Sequence, residues 1–92
     1  MAKALFSLGQ IRSTPGAVVA MQEAGQDGLA LLARHVTGDW GELDRYDQRA
    51  NNDAVKSGGR ILSAYTLPTG VRVWLITEWD RSATTFLLPE EY

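Results

Sequence analysis

The sequence predicts an α+β domain: a short N-terminal strand, three helices, then a three-stranded antiparallel β-meander. Three observations carry this. Helix caps and glycine stops alternate from Thr14 to Gly59. After Gly59 the hydrophobic period changes from helical to two. The chain has 92 residues, 45% hydrophobic and 22% charged, which suits one globular domain spanning residues 1–92.

The first strand is expected within "LFSLGQIR" at 5–12, with Gly9 as a weak point. Thr14 can then cap a helix that opens on Pro15 and closes at Gly25, with Gly16 weakening its start. Asp27 caps a second helix that stops at Gly38, and Leu29, Leu32 and Val36 share one face of it. The third helix is expected over Arg45 to Ser57, capped by Asp44 and ended by Gly58-Gly59. Its apolar stripe is thin (Tyr46, Ala50 and Ala54, with Leu43 before it), so it belongs on the surface.

Three runs follow, "RILSAYTL", "VRVWLITEW" and "ATTFLLP", separated by Pro68-Thr69-Gly70 and Asp80-Arg81-Ser82. Three-residue loops at both turns would pair Leu67 with Val71 and Trp79 with Ala83. Arg60 then faces Glu78 as a cross-strand ion pair, Glu78 faces Thr84, and Thr77 faces Thr85. One sheet face carries Ile61, Tyr65, Leu67, Val71, Val73, Leu75 and Leu87. The other carries Leu62, Ala64, Trp74, Ile76, Phe86 and Leu88. Three short helices cover one such face fully and the second in part, which leaves an apolar patch for a partner or a homodimer.

Composition excludes several classes. The net charge of −2 argues against general nucleic-acid binding, which needs a basic excess. With no cysteine and one histidine, neither a disulfide framework nor a usual zinc site can form, and no metal or cofactor is expected. No signal peptide or membrane span is read, so the expected location is cytoplasmic. Walker, G-x-S-x-G and H-E-x-x-H motifs are absent.

Three places could carry chemistry. His35 sits late in the second helix, either as a residue favourable to the helix dipole or as a general acid/base. Trp40, in "GDWG", either fills the gap between helices or stacks on a partner. The polar stretch from Thr77 to Thr85 holds Glu78, Asp80, Arg81 and Ser82 beside Trp79. Asp80 and Ser82 are good turn formers, whereas Arg81 could bind a phosphate or a partner carboxylate.

His35, "GDWG", "RILSAY" and W-x-I-T-E-x-D-R-S-x-T-x-x-L-L-P-x-E-Y from Trp74 to Tyr92 resemble a family of small bacterial proteins. Its members are carried mostly on plasmids, phages and integrative elements. Some are labelled plasmid-related protein, others type I restriction endonuclease subunit M. The resemblance runs from Thr14 onward and implies a mobile-element setting. The restriction label lacks residue support, because the chain has no Asn-Pro-Pro-aromatic motif and is far too short for a methyltransferase. In architecture alone the chain is similar to the barnase, EndoU, colicin and RelE-like ribonucleases. That likeness implies His35 as base, Arg60 or Arg81 on the phosphate, and Thr77 or Thr85 as positioning residues.

The leading expectation is a mobile-element accessory that binds a host or defence-system protein, as an inhibitor of restriction or CRISPR machinery would. Its interface is expected at Trp40, Glu78, Trp79, Asp80, Arg81 and Ser82. The alternative is a metal-independent ribonuclease acting on RNA.

Overall fold

The computed structural model describes residues 3–92. Strand β1 (Gln10–Ser13) is followed by helices α1 (Pro15–Ala24), α2 (Gly28–Val36) and α3 (Arg45–Ser57). Strands β2 (Ile61–Thr66), β3 (Arg72–Thr77) and β4 (Ala83–Leu87) come next, then a 3-10 turn at Pro89–Glu91. The α+β class and the three helices are as expected. The caps act as their residue types require: the side chains of Thr14, Asp27 and Asp44 accept from the backbone amides of Ala17, Leu29 and Asp47.

The sheet corrects the meander. It has four strands in the order β1-β4-β3-β2, and β1 joins β4 in parallel along the edge, making the sheet mixed. β1 also starts later than expected. Residues 5–8 run irregularly, Leu5 N donating to Val36 O (2.8 Å), before Gly9 turns the chain with φ 65°. At Gly9 a side chain would collide with the backbone of Arg81 and Ser82, so only glycine lets the entry segment lie this close to the β3–β4 turn.

The β2–β3 register is the expected one, with Thr66 opposite Arg72 and Leu67 N donating to Val71 O (2.8 Å). The β3–β4 register is shifted by one residue. Thr77 faces Thr84 rather than Thr85, and Glu78 N donates to Ala83 O (3.0 Å), closing a four-residue loop. The added loop residue is accommodated at Arg81, whose φ is 60°. Because side chains alternate, the shift exchanges the faces of β4. Phe86 enters the helix-covered core and Leu87 goes to the opposite face. The alternative register would turn the Phe86 ring out and take the Thr84 hydroxyl away from Thr77.

The main core lies between α1, α2 and one sheet face. It contains Met21, Leu31, Leu32, Val73, Leu75 and Phe86, each contributing about 1.5–3 kcal/mol by leaving water. Trp40, Ala54 and Ile61 form a second cluster. Two helices present other faces than their apolar spacing suggested. α2 buries Leu31, Leu32 and His35 and leaves Leu29 73% exposed, because His35 finds partners inside. α3 buries Asn51 and Ala54, while Tyr46 is 82% exposed.

The outer edge of β2 is closed by two devices. Asn51 Nδ2 donates to Leu62 O (2.6 Å) while Leu62 N donates to Asn51 Oδ1 (3.1 Å), so one amide side chain stands in for a neighbouring strand. Beside it, Ala64 N donates to Trp40 O (3.1 Å) and Glu42 N to Ala64 O (2.7 Å). Gly41, at φ 75°, lies between these bonds, where any Cβ would fall well inside contact distance of the Ala64 carbonyl. Gly41→Ala is therefore expected to lower unfolding stability by about 2 kcal/mol, read as a reduced urea midpoint with unchanged slope.

Candidate functional site

His35 lies at the centre of a closed polar chain. It is 0% exposed, as are Ser63, Thr77 and Thr84. Its Nδ1 is 2.6 Å from Ser63 Oγ and its Nε2 is 2.8 Å from Thr77 Oγ1. Thr77 Oγ1 is 2.7 Å from Thr84 Oγ1, and Thr84 donates to Leu8 O (2.7 Å).

Counting protons assigns every role. A carbonyl only accepts, so Thr84 spends its proton on Leu8 and must accept from Thr77. Thr77 has then spent its own proton and must accept from His35 Nε2–H. Nδ1 is left as acceptor for the Ser63 hydroxyl. Burial drops the His35 pKa to about 4, so the ring is neutral at physiological pH. Phe6 and Trp40 pack edge-on against it, with ring centroids 5.3 and 6.0 Å away. Both ring nitrogens are engaged and solvent does not reach them. The group joins α2 to β2, β3 and the entry segment.

Arg81 also turns inward. Its Nη2 donates to Ala54 O (2.8 Å) and its Nη1 to Gly59 O (2.5 Å), with further bonds to Glu78 O and Trp79 O. It thereby gives the Ala54 carbonyl, which already accepts from Gly58 N (2.9 Å), a second donor, supplies one to Gly59 O just past α3, and pins the β3–β4 turn there. Arg81→Ala should cost about 1–3 kcal/mol, chiefly by leaving Gly59 O without its donor, measured as a lower thermal midpoint. Trp40 is 4% exposed, and its Nε1 donates to Asn52 Oδ1 (3.1 Å); it fills the gap between helices. Asp80 accepts from Ser82 N (3.1 Å), and the Ser82 hydroxyl and amide hold its carboxyl below the usual range.

Two of the expected site residues stand at the surface without such internal duties. Trp79 is 69% exposed at the loop tip, and Glu78 is exposed beside it. Arg60 and Glu78 sit opposite each other, as the β2–β3 register requires, yet no ion pair joins them. The Arg60 guanidinium lies over the Tyr92 ring, 5.2 Å from its centroid, and donates to the Tyr92 hydroxyl. Arg60, Glu78 and Tyr92 border a groove of about 280 Å³ on the helix-free face of the sheet, floored by Ile76, Thr85 and Leu87.

The five residues of the ribonuclease arrangement do not converge. His35 and Thr77 are buried beneath the helices, Thr85 and Arg60 line the opposite face, and Arg81 caps α3. Sequence reading missed Ser63 and Asn51. The period-two pattern placed Ser63 on the face of Ile61 and Tyr65, and that was the available signal. Asn51 gave none, since an amide within a polar helix reads as solvated.

Among the described residues there is no group of three or more His, Cys, Asp or Glu side chains able to hold a metal, and no helix long and apolar enough to cross a membrane. Fold and surface together define a small α+β protein with a mixed four-stranded sheet, one face helix-covered and the other grooved. No protein-family model, curated protein or solved structure matches the chain.

Proposed function

We propose that this protein is a binding accessory that docks a host or defence-system protein, of the restriction or CRISPR kind, through the helix-free side of its sheet and the adjoining β3–β4 loop. The observation that carries the reading is the grouping at one end of the sheet of exposed Trp79 and Glu78, Arg60, and a groove with an apolar floor. Exposed tryptophan and arginine beside a shallow apolar pocket are the residue types that dominate binding energy at protein interfaces. The mobile-element setting rests on the family resemblance alone.

The buried, doubly bonded His35 supplies no base that a substrate can reach, which weighs against acid/base ribonuclease chemistry. Incubation with total RNA in EDTA should leave the RNA intact. His35→Ala and Arg81→Ala remove internal bonds, so loss of activity in either reads out folding.

Trp79→Ala and Glu78→Arg leave the core untouched and should shift stability by less than about 0.5 kcal/mol. The test is phage plating efficiency on a host carrying an active restriction or CRISPR system. Wild-type protein should raise it, and both variants should lose that protection while remaining folded. Protection retained by both would reject this face as the interface.

A further inference from the structure

We propose that the helix-free face is a peptide-binding site whose resident occupant is the chain's own segment Leu88–Tyr92, and that it accepts acidic peptides with an aromatic residue beside their carboxylates. The clearest observation is that this segment lies on the protein as a ligand would. After β4 it forms the 3-10 turn, buries none of the turn's own residues, and returns over the sheet.

Two anchors hold it. The Tyr92 ring meets Trp74 edge-on (5.8 Å, 64°) and lies under Arg60, whose guanidinium reaches its hydroxyl. The Glu91 carboxylate accepts from Thr14 Oγ1 (2.6 Å) at the start of α1 and, within the segment, from Leu88 N (2.8 Å). Gly16 leaves it room there, since a Cβ at that position would stand 2.5 Å from Glu91 Oε2. Carboxylate at a helix start and aromatic ring under a guanidinium are both favourable pairings.

The anchors are displaceable. Tyr92 remains 70% exposed, while the apolar residues beneath, Ile76 and Leu87, are 5% and 7% exposed. Removing the segment would therefore uncover an apolar floor flanked by Arg60 and Trp74, with the Thr14 hydroxyl and the Gly16 amide free for a new carboxylate. Because it is tethered, the segment competes at high effective concentration. A partner must present the same acidic–aromatic chemistry more strongly, or arrive when the segment is otherwise engaged.

This assignment rests on the binding reading for its biological use, but occupancy can be read without any partner. The probe is a fluorescein-labelled, amidated peptide of the sequence Leu-Leu-Pro-Glu-Glu-Tyr, followed by anisotropy against full-length protein. Glu91→Ala combined with Tyr92→Ala empties both anchors and should bind the probe about tenfold or more tightly than wild type, as loss of a tethered competitor predicts. Adding Arg60→Glu to that double variant, or replacing the probe's tyrosine by alanine, should remove binding.

Equal binding to wild type and double variant, or none to a folded double variant at millimolar probe, would overturn the proposal. Should the double variant not fold, the wild type answers by NMR. Excess probe should abolish the ring contact between Trp74 and Tyr92, and its persistence at saturation would also sink the idea. Failure of these tests, with phage protection still lost on Trp79→Ala, would reject the peptide site and leave the docking reading standing.

Discussion

His35→Ala is expected to destabilise the protein by about 4 kcal/mol, combining a core cavity with a Ser63 hydroxyl left without its acceptor and a Thr77 hydroxyl left without its donor. Domains of this size have about 5–15 kcal/mol in total, so the variant should retain little of the wild-type stability. Urea unfolding of the two proteins at neutral pH measures the difference. A cost below about 1 kcal/mol would mean that the pocket collapses around the alanine or admits water.

The same residue sets a pH dependence whose sign follows from its depressed pKa. In the unfolded chain the imidazole titrates near its ordinary value of about 6.5, but in the folded protein it does so at about 4. Between these values the unfolded state holds a proton that the folded state does not. Stability is therefore complete above pH 6.5 and falls as the pH drops toward 4, by on the order of 3 kcal/mol. His35 is the only histidine in the chain, so little else titrates in the upper part of that window. His35→Gln should flatten the profile between pH 5 and 7. A wild-type stability independent of pH there would contradict burial of a neutral ring.

Asn51→Leu should be the next most damaging change, at about 3 kcal/mol. It leaves both the amide and the carbonyl of Leu62 without partners at a half-buried sheet edge, and each such group costs about 1–3 kcal/mol. Leucine nearly conserves the volume, so the loss reports the paired hydrogen bonds rather than a cavity. Amide exchange at Leu62 supplies a local readout. Its protection should fall toward that of the loops in the variant, and unchanged protection would show that β2 holds its edge without α3.

Local chemistry was legible in the chain. Thr14, Asp27 and Asp44 cap helices because their side chains reach amides two or three residues ahead, and Gly58 ends α3 by taking a positive φ. The β2–β3 turn was equally local, with Pro68-Thr69-Gly70 setting its register.

What the sequence could not decide depended on partners distant in the chain. Arg81 reads as a free cation in the polar loop, and only the folded arrangement brings the end of α3 close enough for it to cap Ala54 and Gly59. His35 reads as a dipole-favourable helix end, but Ser63, 28 residues away, and Thr77, 42 away, make it a buried neutral relay. The β3–β4 register was settled by those long-range contacts as well. Thr84 must meet Thr77 and Leu8, and Phe86 must reach the core, so the loop took four residues where local turn chemistry also allowed three. Sequence by itself determined the helices, the meander's strands and the β2–β3 register, because backbone conformation and short-range hydrogen bonds respond to neighbouring residues. Tertiary structure decided the parallel fourth strand and which polar groups are buried, because a buried donor or acceptor is tolerated only where folding delivers its partner.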